Sequence, residues 1–468
     1  MSSTHSIELT NRNRNDVESF SESSDSPIAT LSLSNEIGQN DLQAEQEVDD
    51  EVNYPDGGLK AYSVIVGSFL GLIVNLGIIN SIGAIQAYVS THQLALVKAS
   101  SISWIFSIFL SLAYALGLVV GPIFDRKGPL ELLIASTCFV FVGLMSSANS
   151  TKVYHFILSF ICLGIGNGLG MTPLIGVISH WFLKKRGNYT GIATSGGSVG
   201  GLVFPLMLRY TYSVYGYVWA MRIFAFTCLG CMLISILLVK GRFKRESHNT
   251  SDEFDTKWDK MTSRLKKLSY WKLNDAKYIY LIAGAFFAEL SLVLVLTYFA
   301  TYAISHGVSE SNSLLLLTVW NAAGILGRWV PGYISDHIGR FNVNILMLTF
   351  YSICILILWL PFGSSYKILL VFATMAGFSS GSILSLLPAC LSQITPVSEI
   401  GSKYGLLNAI LSIGNLFGVP IASAIIGQGS TTNYNHFVIF VGTLAVIGTS
   451  FWTLSRVSIV GTKLNVKV

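Results

Sequence analysis

Two side chains sit where packing alone does not explain them. Arg328 lies in WNAAGILGRWVPGY, Trp320 to Tyr333, and Glu289 lies in FAELSLVLVLTYF; neither run holds another acidic or basic residue. An arginine stays charged and presents five donors in a rigid fork, so in apolar surroundings it must hold an anion, a carboxylate or backbone carbonyls. A carboxylic acid in the same surroundings can take up and release a proton, and a nearby arginine would tie that proton to occupancy of a site. Two readings of Arg328 stand: anion binding or a charge partner in a cavity, and a structural contact to backbone carbonyls or a neighbouring helix bundle. For Glu289 they are proton coupling and a neutral, hydrogen-bonded acid that fixes helix packing.

The elements that must hold these residues are legible in composition. Of 468 residues, 51% are hydrophobic and 12% charged, against about 25% charged in an average soluble protein. Uncharged windows recur at roughly 62–82, 101–121, 130–148, 154–178, 187–208, 217–239, 278–303, 313–333, 343–363, 367–391, 404–426 and 435–456. Each is long enough to cross a hydrocarbon core of roughly 30 Å as a helix. The expected fold is an all-α membrane protein of twelve transmembrane helices. A charge in mid-membrane costs at least about 2.5–3.5 kcal/mol, so those retained face a cavity or a partner. Arg222, beside Trp219 and Tyr217 at the start of span six, reads as an interface anchor, and Arg209 as a side chain that snorkels outward.

Residues 1–58 carry thirteen Asp or Glu and two Arg, with abundant Ser. They cannot bury enough surface to fold and contain no apolar core of a cleavable signal. They read as a disordered acidic cytosolic tail, with a phosphorylation-controlled trafficking signal as the sharper alternative. Basic residues cluster on alternate loops: Arg126 and Lys127, then Lys184, Lys185 and Arg186, then Arg340. Residues 240–277 hold eleven Lys or Arg against six Asp or Glu. By the positive-inside rule both termini are expected in the cytosol. The expected organisation is a six-helix bundle at 59–239, a basic linker at 240–277, a second bundle at 278–456 and a cytosolic tail at 457–468. In the linker, Phe254, Trp258, Met261, Leu265, Leu268 and Trp271 recur at helical spacing among lysines, as in an amphipathic helix on the inner leaflet or a plain solvated linker. All six cysteines fall in spans and read as small apolar residues. The eight histidines lie in the tail, in loops and at span ends, where solvated histidines normally fall. The sequon Asn149-Ser150-Thr151 lies in a loop too short for glycosylation.

The two halves repeat. GPIFDRKGP after span two carries Gly121, Asp125 and Gly128; GYISDHIGR after span eight carries Gly332, Asp336 and Gly339, offset by 211. Gly164 and Gly168 match Gly377 and Gly381 at an offset of 213, and Gly187, Gly191 and Gly200 match Gly401, Gly405 and Gly414 at 214. In G-x-x-x-D-x-x-G the glycines permit a tight turn and close helix approach, while the carboxylate can bind the positive end of a neighbouring helix. Asp125 and Asp336 are therefore expected to act as latches on the cytosolic side, a merely structural turn being the alternative. GIGNGLG, Gly164 to Gly170, and SGGSVGG, Ser195 to Gly201, let helices pack backbone to backbone.

This arrangement resembles the major facilitator superfamily. PDGGLKAY, Pro55 to Tyr62, NSIGAIQAY, Asn80 to Tyr88, and WFLKKRGNYTGIATSGGSVGG, Trp181 to Gly201, resemble signatures of its monocarboxylate transporter family, most of all the fungal monocarboxylate-transporter-homologue (MCH) group, over about residues 54–456. The resemblance implies two six-helix bundles in pseudo-symmetric arrangement, rocking about a central site by alternating access. It also implies a charge pattern: a lysine in span one, and an aspartate four residues before an arginine in span eight. Here the arginine is Arg328, the aspartate position is Gly324 and the lysine position is Asn80, so two of the three groups are missing.

Other polar or aromatic candidates for a cavity are Gln86, Asn167, Tyr298, Tyr302, Asn321 and Asn408; Tyr298, Tyr302 and Trp320 offer rings for stacking. Three functions follow as hypotheses: a proton-driven transporter of a small carboxylate, a transporter of a larger neutral or ring-containing compound such as a vitamin, and a membrane sensor. An enzyme is not expected, since no nucleophile and base, phosphate-binding loop or metal-ligand cluster stands at motif spacing. The expected partners are a small-molecule solute, the bilayer and protons, with no cofactor, metal or nucleic acid and with a monomeric chain. The plasma membrane is the expected location, the vacuolar membrane its alternative.

Overall fold

The computed structural model describes residues 54–97, 99–242, 275–427, 429–461, 463, 466 and 467. The expected linker helix between Phe254 and Trp271, and all but the last few residues of the acidic tail, lie outside the described residues. Regular structure among the described residues is helical. The first helix, α1, spans Leu59–Thr91. Helix α2 runs through Ala99–Ala115 and Gly117–Lys127, α3 is Leu130–Ala148, and α4 is Val153–Gly176, continued by a tight turn at Val177–His180.

The next helical stretch, Arg186–Leu238, is 53 residues long. At about 1.5 Å per residue that is far more than a hydrocarbon core of roughly 30 Å can hold. Gly216 resolves this: with φ 72° and ψ 175° it reverses the chain in a conformation open to glycine. The stretch is therefore two passes, α5 at 186–215 and α6 at 217–238. The second half supplies α7 Ala276–Ser305, α8 Glu310–Ile338, α9 Arg340–Phe362, α10 Tyr366–Leu391, α11 Ile400–Ile426 and α12 Thr431–Val460. Among the described residues, eleven continuous helices are long and apolar enough to cross a membrane, and the break at Gly216 makes twelve passes.

Local chemistry sets several helix ends. Asp275, Ser309 and Ser430 cap α7, α8 and α12 with side-chain oxygens. Gly128 and Gly339, the last glycines of the repeated motif, end α2 and α8 at φ 81° and 112°. Helices α1–α6 and α7–α12 form two bundles whose outer surfaces expose large apolar residues such as Leu237, Leu326 and Ile357, as lipid requires. Within the first bundle α1 lies along α5, because a methyl added at Gly196 or Gly200 would come within 2.4 Å of the carbonyls of Phe69 or Ile73. The bundles meet mainly where α2 packs on α11 and where α5 packs on α8. These two seams are related by the internal repeat.

Candidate functional site

Both seams end in a carboxylate seated on a helix N-terminus, on the face that carries the basic loops. Asp125, near the end of α2, accepts from the backbone N–H of Gly401 at 2.8 Å and of Ser402 at 2.7 Å, and from the Ser402 hydroxyl at 2.6 Å. Asp336, near the end of α8, accepts from the N–H groups of Gly187 at 2.9 Å and Asn188 at 2.8 Å. Each bond crosses from one bundle to the other and answers the unpaired donors and positive dipole of the first turn of α11 or α5. The close approach depends on absent side chains: a methyl at Gly121 would lie 2.1 Å from the Gly401 carbonyl, and one at Gly332 2.6 Å from that of Gly187. Two arginines tie the same face. Arg340 donates to the Leu183 carbonyl at 2.7 Å, and Arg186 to that of Ser392 at 2.9 Å.

The PDGG stretch before α1 also belongs to this assembly. The Asp56 carboxylate accepts from three consecutive N–H groups, those of Leu183, Lys184 and Lys185, at 2.9, 3.1 and 3.4 Å. The entry to α5 is thus held by one carboxylate from its own bundle and, one turn later, by Asp336 from the other.

Between the bundles lies a small cavity of ≈ 20 Å³, room for a water molecule and far below the roughly 300–1,000 Å³ of small-molecule sites. Asn80 of α1, Ser198 of α5, Leu292 and Leu296 of α7, Trp320, Asn321, Gly324 and Arg328 of α8, and Ser380 of α10 line it. Glycines of α5 make space for the polar groups: a methyl at Gly197 would sit 2.8 Å from Arg328 Nη1, and one at Gly201 2.8 Å from Asn321 Oδ1. Trp320 is buttressed from behind by Phe299 and Phe372, each with ring centroids 5.9 Å away.

Arg328 is 4% exposed. Its Nη1 donates to the Thr194 carbonyl of α5 at 2.6 Å, across the seam, while its Nε has no hydrogen-bond partner. The repeat offset of 211 that relates Asp125 to Asp336 also relates Gly117 to Arg328. On the other seam Gly117 packs against Asn408 and Gly405 of α11, so Arg328 places a long cation where its counterpart leaves a gap.

Glu289 is buried in α7, and its Oε1 has no partner. Tyr114 of α2, in the opposite bundle, is buried in the electrostatic neighbourhood of both Glu289 and Arg328. Tyr404 of α11 flanks Glu289 and is in turn reached by Asn408. Arg328 and Glu289 form no ion pair among the described residues.

Of the residues singled out in the sequence, Asn80, Trp320, Asn321 and Arg328 converge on the cavity. Glu289 and Asn408 join the neighbouring polar cluster. Asn167 instead donates to the Asn75 carbonyl inside the first bundle, and Tyr298 to that of Val419 inside the second. Tyr302 stacks with His306 and meets Trp359 and Tyr434 edge to face. Gln86, partly buried on α1, is outside the cavity lining. Arg222 lies 5.1 Å over the Trp219 ring and donates to Asn149 Oδ1. One reading needs correction: His180 is not solvated but 2% exposed, stacked on Phe124, because the turn after α4 folds beneath α2. Sequence reasoning missed Tyr114, Tyr404, Ser198 and Ser380. Only the two serines carried a signal, as hydroxyls inside runs of small residues.

The family model of the Major Facilitator Superfamily matches residues 63–364 and again 330–463. The chain belongs to the major facilitator superfamily. Within it the chain falls in the MCH group: the riboflavin transporter MCH5 of Saccharomyces cerevisiae is 40% identical over 441 residues, covering 92% of this chain and 84% of MCH5. The fujikurins efflux protein of Gibberella fujikuroi is 33% identical over 408 residues, covering 86% and 83%. A major facilitator superfamily fold is also seen in the crystal structure of FucP in the outward conformation, with a TM-score of 0.63 at 14% identity over 85% of this chain and 98% of that one. This superfamily member is a membrane transporter and not an enzyme.

Proposed function

We propose that the protein carries a ring-bearing, largely neutral solute of the riboflavin class by alternating access. The observation that carries this reading is the cavity: its polar groups are the neutral Asn80, Ser198, Asn321 and Ser380, with the Trp320 indole beside them. Its one cation is already committed to the Thr194 carbonyl. Amides and hydroxyls can hold carbonyl and N–H edges of a heterocycle while an indole stacks on its face. The relation to a riboflavin transporter supports the same class. A second reading, a small carboxylate, is favoured by the unpaired Arg328 Nε.

In this proposal Asp125 and Asp336 are latches, closed in the conformation described, and the basic face is cytosolic. The cavity is then the collapsed site, which enlarges as the bundles rock. Glu289 is the proton site that links transport to a proton gradient, and the plasma membrane is the location. A thermal-unfolding series on the purified protein tests the substrate class. Riboflavin should raise the midpoint progressively with concentration, by about 2.7 kcal/mol in stability at a hundredfold excess over its Kd, and lactate or acetate should not. Stabilisation by the short-chain acids alone would overturn the proposal.

A further inference from the structure

The two carboxylates read as latches are not held alike. Asp125 has a third donor, the Ser402 hydroxyl. The repeat offset of 214 relates Ser402 to Asn188, yet the Asn188 side chain accepts from Trp329 Nε1 at 3.2 Å, and it is the Asn188 backbone N–H that meets Asp336. Asp336 is supported instead from behind. After α12 the chain turns at Gly461, φ 68°, and returns along the basic face of its own bundle. Arg456, buried near the end of α12, donates from Nη2 to the carbonyls of Lys463 at 2.9 Å and Val466 at 3.4 Å, and from Nε to Asn342 Oδ1. Asn342, at the start of α9, donates to the same Val466 carbonyl at 3.1 Å, and Val466 packs on the core. These bonds bring Lys467 to the end of α8, where its ammonium donates to the backbone carbonyl of Asp336 itself. That carbonyl lies in the last turn of α8, which ends at Ile338. Carbonyls of a last turn lack partners within the helix, and a cation there meets the negative end of the helix dipole. The chain after α6 takes the related path over the turn that follows Asp125: the Lys240 carbonyl accepts from Trp181 Nε1 at 2.8 Å, and a methyl at Gly241 would lie 2.7 Å from Pro129.

We propose that Lys467 is a positioning residue for the Asp336 latch, an inference that rests on reading Asp336 as a latch. Arg456, Asn342 and the Asp336 carbonyl all belong to the second bundle, so these bonds cross no seam and act on α5 only through the Asp336 carboxylate. With Lys463, Val466 and Lys467 seated, the last turn of α8 is fixed and the carboxylate stays aimed at the N–H groups of Gly187 and Asn188. When Lys467 lifts away, that turn loosens and the seam between α5 and α8 opens more readily, while Asp125 keeps its own bonds to α11. Lys463 and Lys467 are exposed, so the segment can be displaced from the basic face without unpacking either bundle. The chain after α12 thus sets how readily one of the two latches releases.

Spin labels test this without any transported solute. Cysteines at Lys127 and Gln393, exposed residues of the first and second bundle on the basic face, are labelled in the purified full chain after its native cysteines are replaced, and the distance distribution gives the ratio of open to closed conformers. Lys467→Ala should raise that ratio about threefold, and Lys467→Arg, which keeps the cation, should leave it near the wild-type value. In an Asp336→Ala background Lys467→Ala should add nothing, because the carboxylate it positions is gone. An unchanged ratio in Lys467→Ala, a rise that Lys467→Arg shares, or an equal rise in the Asp336→Ala background would overturn the positioning role. If Asp336→Ala by itself leaves the ratio unchanged, the latch reading fails and the positioning role falls with it. Thermal unfolding of each variant confirms that the fold is intact.

Discussion

Replacing Asp125 and Asp336 together by asparagine is expected to shift the protein to a conformer open on its basic face. Each carboxylate accepts two backbone N–H groups across the seam at 2.7–2.9 Å. Hydrogen bonds to a charged group contribute about 1.5–3 kcal/mol, and a charge on a helix N-terminus roughly 0.3–1 kcal/mol more. Asparagine keeps one acceptor oxygen and loses the charge, so the double substitution should cost the closed form roughly 3 kcal/mol, about a hundredfold in the ratio of conformers. Spin labels on cysteines placed at Lys184 and His337, on opposite sides of the seam, would report it. The longer distance should become dominant in the double variant; an unchanged distribution would show that the carboxylates are only turn elements.

Arg328→Ala is expected to abolish transport to within about 1% of wild type while the chain still folds. The guanidinium lines the cavity and also bonds α5 through the Thr194 carbonyl. Truncation leaves that buried carbonyl without its donor, a cost of about 1–3 kcal/mol, and, in the proposed reading, removes a link between the solute site and the opposite bundle. Arg328→Lys should recover little, because an ammonium on a flexible stem does not reproduce a planar fork. Initial rates of riboflavin uptake into proteoliposomes, beside the unfolding midpoint of each variant, separate loss of transport from loss of fold. Near-normal rates in Arg328→Ala would remove the residue from the transport cycle.

What could be read from the chain depended on how local the signal was. The Asp125 and Asp336 contacts were legible because a short motif, repeated at a fixed offset, fixes both the turn and the partner helix. Arg328 and Glu289 were legible because charge is scarce in the spans. Tyr114 was not: SLAYALG looks like any apolar helix, and its burial appears only when topology lays α2 of one bundle against α11 of the other. Asn167 and Tyr298 show the converse. Their polarity suggested a cavity, but each satisfies a backbone carbonyl inside its own bundle, because buried polar atoms need partners wherever they fall. The repeat adds a lesson that the motifs alone hid. Gly117 holds the repeat position of Arg328, and Glu289 lies in the same half as Arg328, so both mid-membrane charges belong to one half of a duplicated fold.

The substrate class is tested most directly by counterflow. Proteoliposomes loaded with unlabelled riboflavin and diluted into a trace of labelled riboflavin should accumulate label transiently, and liposomes loaded with lactate should not. Accumulation of labelled lactate against internal lactate, with none of riboflavin against riboflavin, would contradict a neutral, ring-bearing solute at the cavity beside Trp320 and Arg328.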